Sequence, residues 1–372
     1  MGALEHLALD PTRFLSEIYG KKPDVTATSQ DYSWLGSLDA FDHLINDTLL
    51  PAAAFRLVRD GKPIPTRTYT KKFGGQRDDA IKVADPALVF DHFGEGATIV
   101  LEGMHRYSAP VRDLCRDLEL ELRQGTQVNA YITPKGAQGF ATHVDSHDVF
   151  VVQVFGTKHW LVHGHDDTDG TGAPVIERDL VAGDCLYIPQ GFAHSATTGT
   201  SESGHLTIGI LPTTAKEMKR ELMSMLHVSA GTVDIQDGDV ASIGTGLVAE
   251  MRSQLDEVDE AGLSRRLTRL FFASRHHSLR GHMKRMLDAA AITDSDKVVS
   301  RVEWVRFDSD VGILVVLPDR ELRFSCRLAP ALDVVLRDEP FRVADLAPHL
   351  DDDEERLAVV ARLIREGLLE LR

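Results

Sequence analysis

Between residues 91 and 212 the chain reads as short apolar runs separated by Gly, Pro and Asp turns. The runs fall at 98–101, 127–132, 149–155, 159–162, 185–188 and 205–211, with one helical stretch at 111–123. Segments this short cannot be amphipathic helices of ordinary length. Many short strands at this spacing specify a β-barrel or β-sandwich.

The flanking regions carry a different period. Phe14, Leu15, Ile18 and Tyr19 make a helical face, stopped by Gly20-Lys21-Lys22-Pro23, and 39–46 reads as a second short helix. Residues 214–292 turn helical, with segments at 216–226, 248–255, 262–274 and 280–290. Leu263, Leu267, Leu270 and Phe271 form one apolar stripe there. It suits either packing on the barrel or a dimer interface, and periodicity does not choose between them. The last part reads as a hairpin, 311–317 with 321–326, then helices near 332–336, 343–350 and 353–366, and a short strand at 368–371. Helices with a small strand pair resemble a winged helix. The expected organisation is a catalytic domain at 1–212, a helical region at 213–292 and a winged-helix-like domain at 293–372.

The chemistry concentrates in two stretches. In NAYITPKGAQGFATHVDSHDVFVVQVFG, His143 and Asp145 stand two apart. In a strand, residues i and i+2 point to one face, so an imidazole and a carboxylate would project together. The second stretch, GDCLYIPQGFAH, ends a strand and turn with His194. Two His and one Asp make the facial triad of non-haem iron(II) oxygenases, which leaves positions open for a co-substrate and O₂. His147, His159, His163 and His165 lie close in sequence and compete as ligands. Lys158 follows His143 by 15 residues. A buried lysine needs an anion, whereas a lysine at a turn is ordinarily solvated. The residues alone leave both readings open.

Together these motifs resemble the JmjC-type cupin oxygenases of the ribosomal oxygenase group. The likeness rests on Asn129-Ala130-Tyr131-Ile132-Thr133-Pro134, Gln138-Gly139-Phe140, His143-x-Asp145, Asp148-x-Phe150, Gln153, Gly156-x-Lys158-x-Trp160 and Gly183-Asp184…Pro189-x-Gly191-x-x-His194. These motifs cover roughly residues 96–212. The resemblance implies a mixed α+β chain: a double-stranded β-helix barrel, a helical dimerisation region and a winged-helix-like C-terminal domain. It implies that His143, Asp145 and His194 bind Fe(II), and that Lys158 pairs with the distal carboxylate of 2-oxoglutarate. Asn129 and Tyr131 are similar to family residues lining the same pocket. The implied reaction hydroxylates a protein side chain, an Arg or His of a ribosomal protein, with O₂ and 2-oxoglutarate as co-substrates. Two other readings stand beside it: a small-molecule or peptide-tailoring oxygenase, and a catalytically silent cupin that serves as an interaction module.

Charge bears on the partner. With 41 Lys and Arg against 57 Asp and Glu, the net charge is −16. Nucleic-acid binding requires cations to displace counterions, so it is not expected. A basic protein partner is compatible. Residues 297–372 hold 12 basic and 16 acidic residues, a net of −4, including Asp351-Asp352-Asp353-Glu354-Glu355. No apolar run is long enough to span a bilayer, and no secretory signal or myristoylation pattern opens the sequence. Three scattered cysteines, Cys115, Cys185 and Cys326, exclude a disulfide framework and suit the reducing cytoplasm.

Overall fold

A computed structural model describes residues 2–27, 30–74, 80–137, 141–226, 240–273, 275, 280–337 and 339–372. The motif Gln138-Gly139-Phe140 and the expected helix end at Ser274 lie outside the described residues. The chain packs as two compact units, Met1–Pro212 and Thr213–Arg372.

The first unit is a double-stranded β-helix, so the barrel expected from the short apolar runs is the fold observed. Two long antiparallel strands, Asp148–Val162 and Ala193–Leu211, form its spine. Asp184–Ile188 and Ile176–Val181 pair with the first of them, and Gly125–Thr133 with the second. Thr98–Leu101 and Phe55–Arg59 extend the sheet beyond Gly125–Thr133. The run at 149–154 is apolar throughout because both its faces are buried. Phe150, Val152 and Val154 join the large core beneath the N-terminal helices. Val149 and Val151 join a second cluster with Trp160, Val162 and Leu186.

The spine is longer than the sequence suggested. Gly156-Thr157-Lys158 reads as a turn, yet the strand continues through it. Gly156 takes φ +65°, and a Cβ there would sit 1.8 Å from the Glu202 carbonyl oxygen. Pairing register shifts between Thr198 and Ser203 and again between Gly204 and His205. Such a bulge changes which face later residues occupy. Before it Val149 and Val151 line the interior cavity; after it Lys158 and Trp160 do.

Helix Ala109–Leu122 starts at Ser108, whose hydroxyl accepts from the Val111 amide. It buries Val111, Leu114, Cys115, Leu118 and Leu122, one face at helical spacing. At the N-terminus, Pro11–Arg13 continues into a π-turn, Phe14–Ile18. Phe14 and Ile18 are buried, but the wider turn leaves Leu15 exposed, off the face that a 3.6-residue period assigned to it.

The second unit has its own core, with Val298, Leu332, Val335, Leu346, Val360 and Ile364 among its members. Helices Ala215–Met223, Val240–Asp256, Glu260–Ala273 and His282–Asp288 come first. The hairpin forms from Gly312–Val316 and Glu321–Phe324, with Val305–Ser309 added on one side. Helix Asp353–Arg365 is capped by Asp352, and Leu369–Leu371 pairs with Lys297–Ser300. The 343–350 segment is a four-residue 3₁₀ turn, Val343–Leu346, rather than a helix of that length.

Candidate metal centre

The two-residue strand His143–Val144 pairs with Ala193–His194, placing His143 opposite His194. Asp145 lies just past the strand end, where its carbonyl accepts from Gly191. The strand is therefore shorter than an i, i+2 argument assumes, but the grouping results all the same. His143 Nε2 is 3.8 Å from Asp145 Oδ1, and His194 Nε2 is 3.7 Å from Asp145 Oδ2. One donor atom from each residue falls within 4.8 Å of the others. Among the described residues no other His, Cys, Asp and Glu group of three does this.

Both imidazoles are oriented from behind. His143 Nδ1 lies 2.9 Å from the Ala141 carbonyl oxygen, and His194 Nδ1 lies 3.0 Å from that of Phe192. A carbonyl only accepts, so Nδ1 carries the proton and Nε2 keeps its lone pair toward the centre. Burial, then the nearness of His143, lower the pKa of His194 from the usual imidazole range and so favour its neutral form. The N, N, O donor set suits a first-row divalent metal with open positions.

The competing histidines point elsewhere. His159 pairs with Asp179 at 2.7 Å, and His163 lies 3.1 Å from Asp167. His165 is exposed against Phe192, and the His147 ring fills the space beside Gly209.

The three donors open onto a cavity of about 220 Å³ within the barrel. Lys158 lines it and is 3% exposed, so the solvated alternative does not hold. Its Nζ donates to Thr133 Oγ1 at 3.1 Å, and Thr98 bonds Thr133 in turn. Among the described residues no carboxylate pairs with it. Burial pulls its pKa down to about 7. Tyr131 also lines the cavity, and burial raises its hydroxyl's pKa. Asn129 does not line it; its amide oxygen accepts from the Gly103 amide at 3.0 Å, and its side chain also bonds Tyr131.

His205 and Arg56 were not singled out by sequence reasoning, and Thr133 entered only within the motif at 129–134. His205 faces Tyr131 across the strand pair, its ring stacked at 4.9 Å and 2°. Arg56 lines the cavity and pairs with Glu102 at 2.7 Å. A histidine opening an apolar run was the one available signal for His205. Arg56 comes from a strand the sequence did not mark.

Residues 109–218 match the JmjC domain family. The chain is 34% identical over 140 residues to the bifunctional lysine-specific demethylase and histidyl-hydroxylase NO66 of Dictyostelium discoideum, covering 34% of this chain and 27% of that protein. It is 33% identical over 138 residues to ribosomal oxygenase 1 of Gallus gallus, covering 33% and 23%. The chain thus spans about a quarter of the length of these curated relatives. The solved structure of YcfD, a ribosomal oxygenase from Escherichia coli, superposes with a TM-score of 0.60 at 16% identity, covering 98% of this chain and 99% of that one. The same protein has been solved with cobalt and 2-oxoglutarate, with a TM-score of 0.60 at 17% identity. Residues 109–218 therefore match a JmjC domain, set in a chain whose fold is similar to that of YcfD.

Proposed function

We propose that the chain is an iron(II)- and 2-oxoglutarate-dependent oxygenase that hydroxylates a side chain, an Arg or His, of a basic ribosomal protein. The observation that carries this reading is one cavity holding both a His-His-Asp donor set and a buried lysine without an acid partner. The names of the curated relatives and of the cobalt and 2-oxoglutarate complex point the same way. Iron would supply O₂ activation, coupled to oxidative decarboxylation of 2-oxoglutarate to succinate and CO₂, with the second oxygen atom entering the substrate C–H bond.

This chain's residues bind, orient and shield. His143, Asp145 and His194 hold the metal through two Nε2 atoms and one carboxylate. Lys158 receives the distal carboxylate of 2-oxoglutarate, steadied by Thr133. Tyr131 lines the same wall, and Asn129, two residues earlier on the same strand, braces Tyr131. Val149, Val151 and Trp160 keep that wall apolar and limit water.

We assign the helical region, 213–292, to homodimerisation, ahead of a separate winged-helix-like domain at 293–372. Leu263, Leu267, Leu270 and Phe271 are half-buried in the single chain, while Leu247, Val248 and Leu255 are exposed. A two-fold interface would cover them. Sedimentation at micromolar concentration should give a dimer; monomer alone removes this assignment. Three free cysteines, two of them buried, favour a reducing compartment such as the cytoplasm.

The function is tested by supplying the full chain with iron, 2-oxoglutarate, O₂ and ribosomal proteins. Succinate release and a ribosomal protein heavier by one oxygen atom are expected. His143→Ala and Asp145→Ala should lose both iron and turnover. Full activity with normal iron content in either variant would falsify the ligand set. Loss of a methyl group from the substrate would assign demethylation instead.

A further inference from the structure

His205 is 3% exposed and lines the cavity. Its Nδ1 is buried without a hydrogen-bond partner, and neither ring nitrogen has one among the described residues. A buried polar group left unpaired is costly, so an orphan in a cavity wall calls for a ligand. The ring cannot turn away to find one. Tyr131 stacks on one face at 4.9 Å, and Trp160 packs edge-on at 5.4 Å. Lys158, with Thr133 its one hydrogen-bond partner, lies close enough that its charge helps hold His205 well below the usual imidazole range; burial is the larger cause. The imidazole is therefore neutral, with one N–H to donate.

We propose that His205 is a positioning residue that donates a second hydrogen bond to the distal carboxylate of 2-oxoglutarate, beside the Lys158 ammonium. This rests on the oxygenase reading above. The pair divides the work: Lys158 supplies charge, and His205 supplies a direction fixed by its two aromatic neighbours. A carboxylate has two oxygens and several acceptor sites, so it takes both donors at once.

The test compares 2-oxoglutarate with 2-oxopentanoate, a 2-oxo acid of equal chain length without the distal carboxylate. Each is titrated into manganese-loaded full chain, with binding read by calorimetry. His205→Phe keeps the stack and removes the donor. It should weaken 2-oxoglutarate about tenfold to a hundredfold and leave 2-oxopentanoate unchanged. His205→Gln, which keeps an N–H, should recover part of the loss. Equal loss for both acids, or no loss for either, overturns the proposal. Should His205→Phe fail to fold, wild-type histidine ¹⁵N shifts give the same answer. The His205 signals should move with 2-oxoglutarate and stay with 2-oxopentanoate; unmoved signals with bound 2-oxoglutarate overturn it. Wild type that binds neither acid sinks the oxygenase reading instead.

Discussion

Lys158 enters the barrel as a cation with a hydroxyl for company and no acid, so burial brings its pKa to about 7. A dicarboxylate co-substrate binds the charged form and stabilises it, which raises the lysine's pKa in the complex. Binding then takes up a proton wherever the free lysine is neutral. The sign follows: affinity is nearly flat below pH 7 and falls as pH rises above it, by up to about tenfold per unit. Titrations of 2-oxoglutarate from pH 6 to pH 9 should show this, and a flat profile to pH 9 would contradict it. Lys158→Arg should flatten the curve, because a guanidinium stays charged, although its planar fork fits differently. Lys158→Ala removes one partner of a buried pair, a loss of about 3–5 kcal/mol, or roughly two to three and a half decades of affinity. Unchanged affinity would return the carboxylate's partner to another residue. The identity of this lysine was readable from the motif around it; its burial was not, because Gly156-Thr157-Lys158 has the composition of an exposed turn.

At the scale of elements, the spacing of apolar runs was enough to place a barrel and the positions of most of its inner strands. What it missed has a common cause. Residues 195–203 are polar and small, so no period-2 alternation shows, yet 195–198 pair with 158–161 and Ser203 with Gly156 as part of one long strand. Strands Phe55–Arg59 and Asp24–Ala27 owe their conformation to partners far away in sequence. The conformation of Gly156 depends on both conditions, a left-handed φ and the approach of Glu202. It lies between the two register shifts beyond which Lys158 and Trp160 share an interior with Val149 and Val151. Gly156→Ala should therefore do two things. The left-handed backbone costs roughly 1–2 kcal/mol with a side chain, and the collision with a carbonyl adds roughly 1–3 kcal/mol more. The shifted register should weaken 2-oxoglutarate as well. Gly20→Ala is the control: φ is +67°, but nothing lies within 4 Å of the added carbon, so only the conformational cost applies. Chemical denaturation should rank the two variants in that order. Equal loss in both would mean that the Glu202 contact does not constrain the strand.

For the whole molecule, charge argues about partners where fold does not. The C-terminal segment has the helices and strand pairs of a winged-helix-like end, an architecture that suggests DNA. Its electrostatics oppose that. Helix Asp353–Arg365 begins with Asp353, Glu354 and Glu355, so the helix end that would attract phosphate already holds carboxylates. Four of the arginines of this segment are committed to acidic neighbours. Arg356 is 4% exposed and pairs with Asp294 at 2.8 Å and Asp353 at 2.7 Å. Arg320 pairs with Asp319 and Glu366, Arg306 with Asp308 and Asp333, and Arg327 with Glu355. Counterion release needs cations facing the duplex, and pairs closed within the unit supply none. The full chain should leave the anisotropy of a labelled duplex unchanged at physiological salt and at concentrations up to about 10 µM. Binding that weakens steeply with added salt would show a basic face and contradict this. The same net charge of −16 favours the opposite partner. Association with the proposed substrate, a basic ribosomal protein, should be faster at low ionic strength and slow as the screening length falls to about 8 Å near 0.15 M salt. Association rates measured across that salt range should fall; a rate independent of salt would mean that the acidic surface plays no part in encounter.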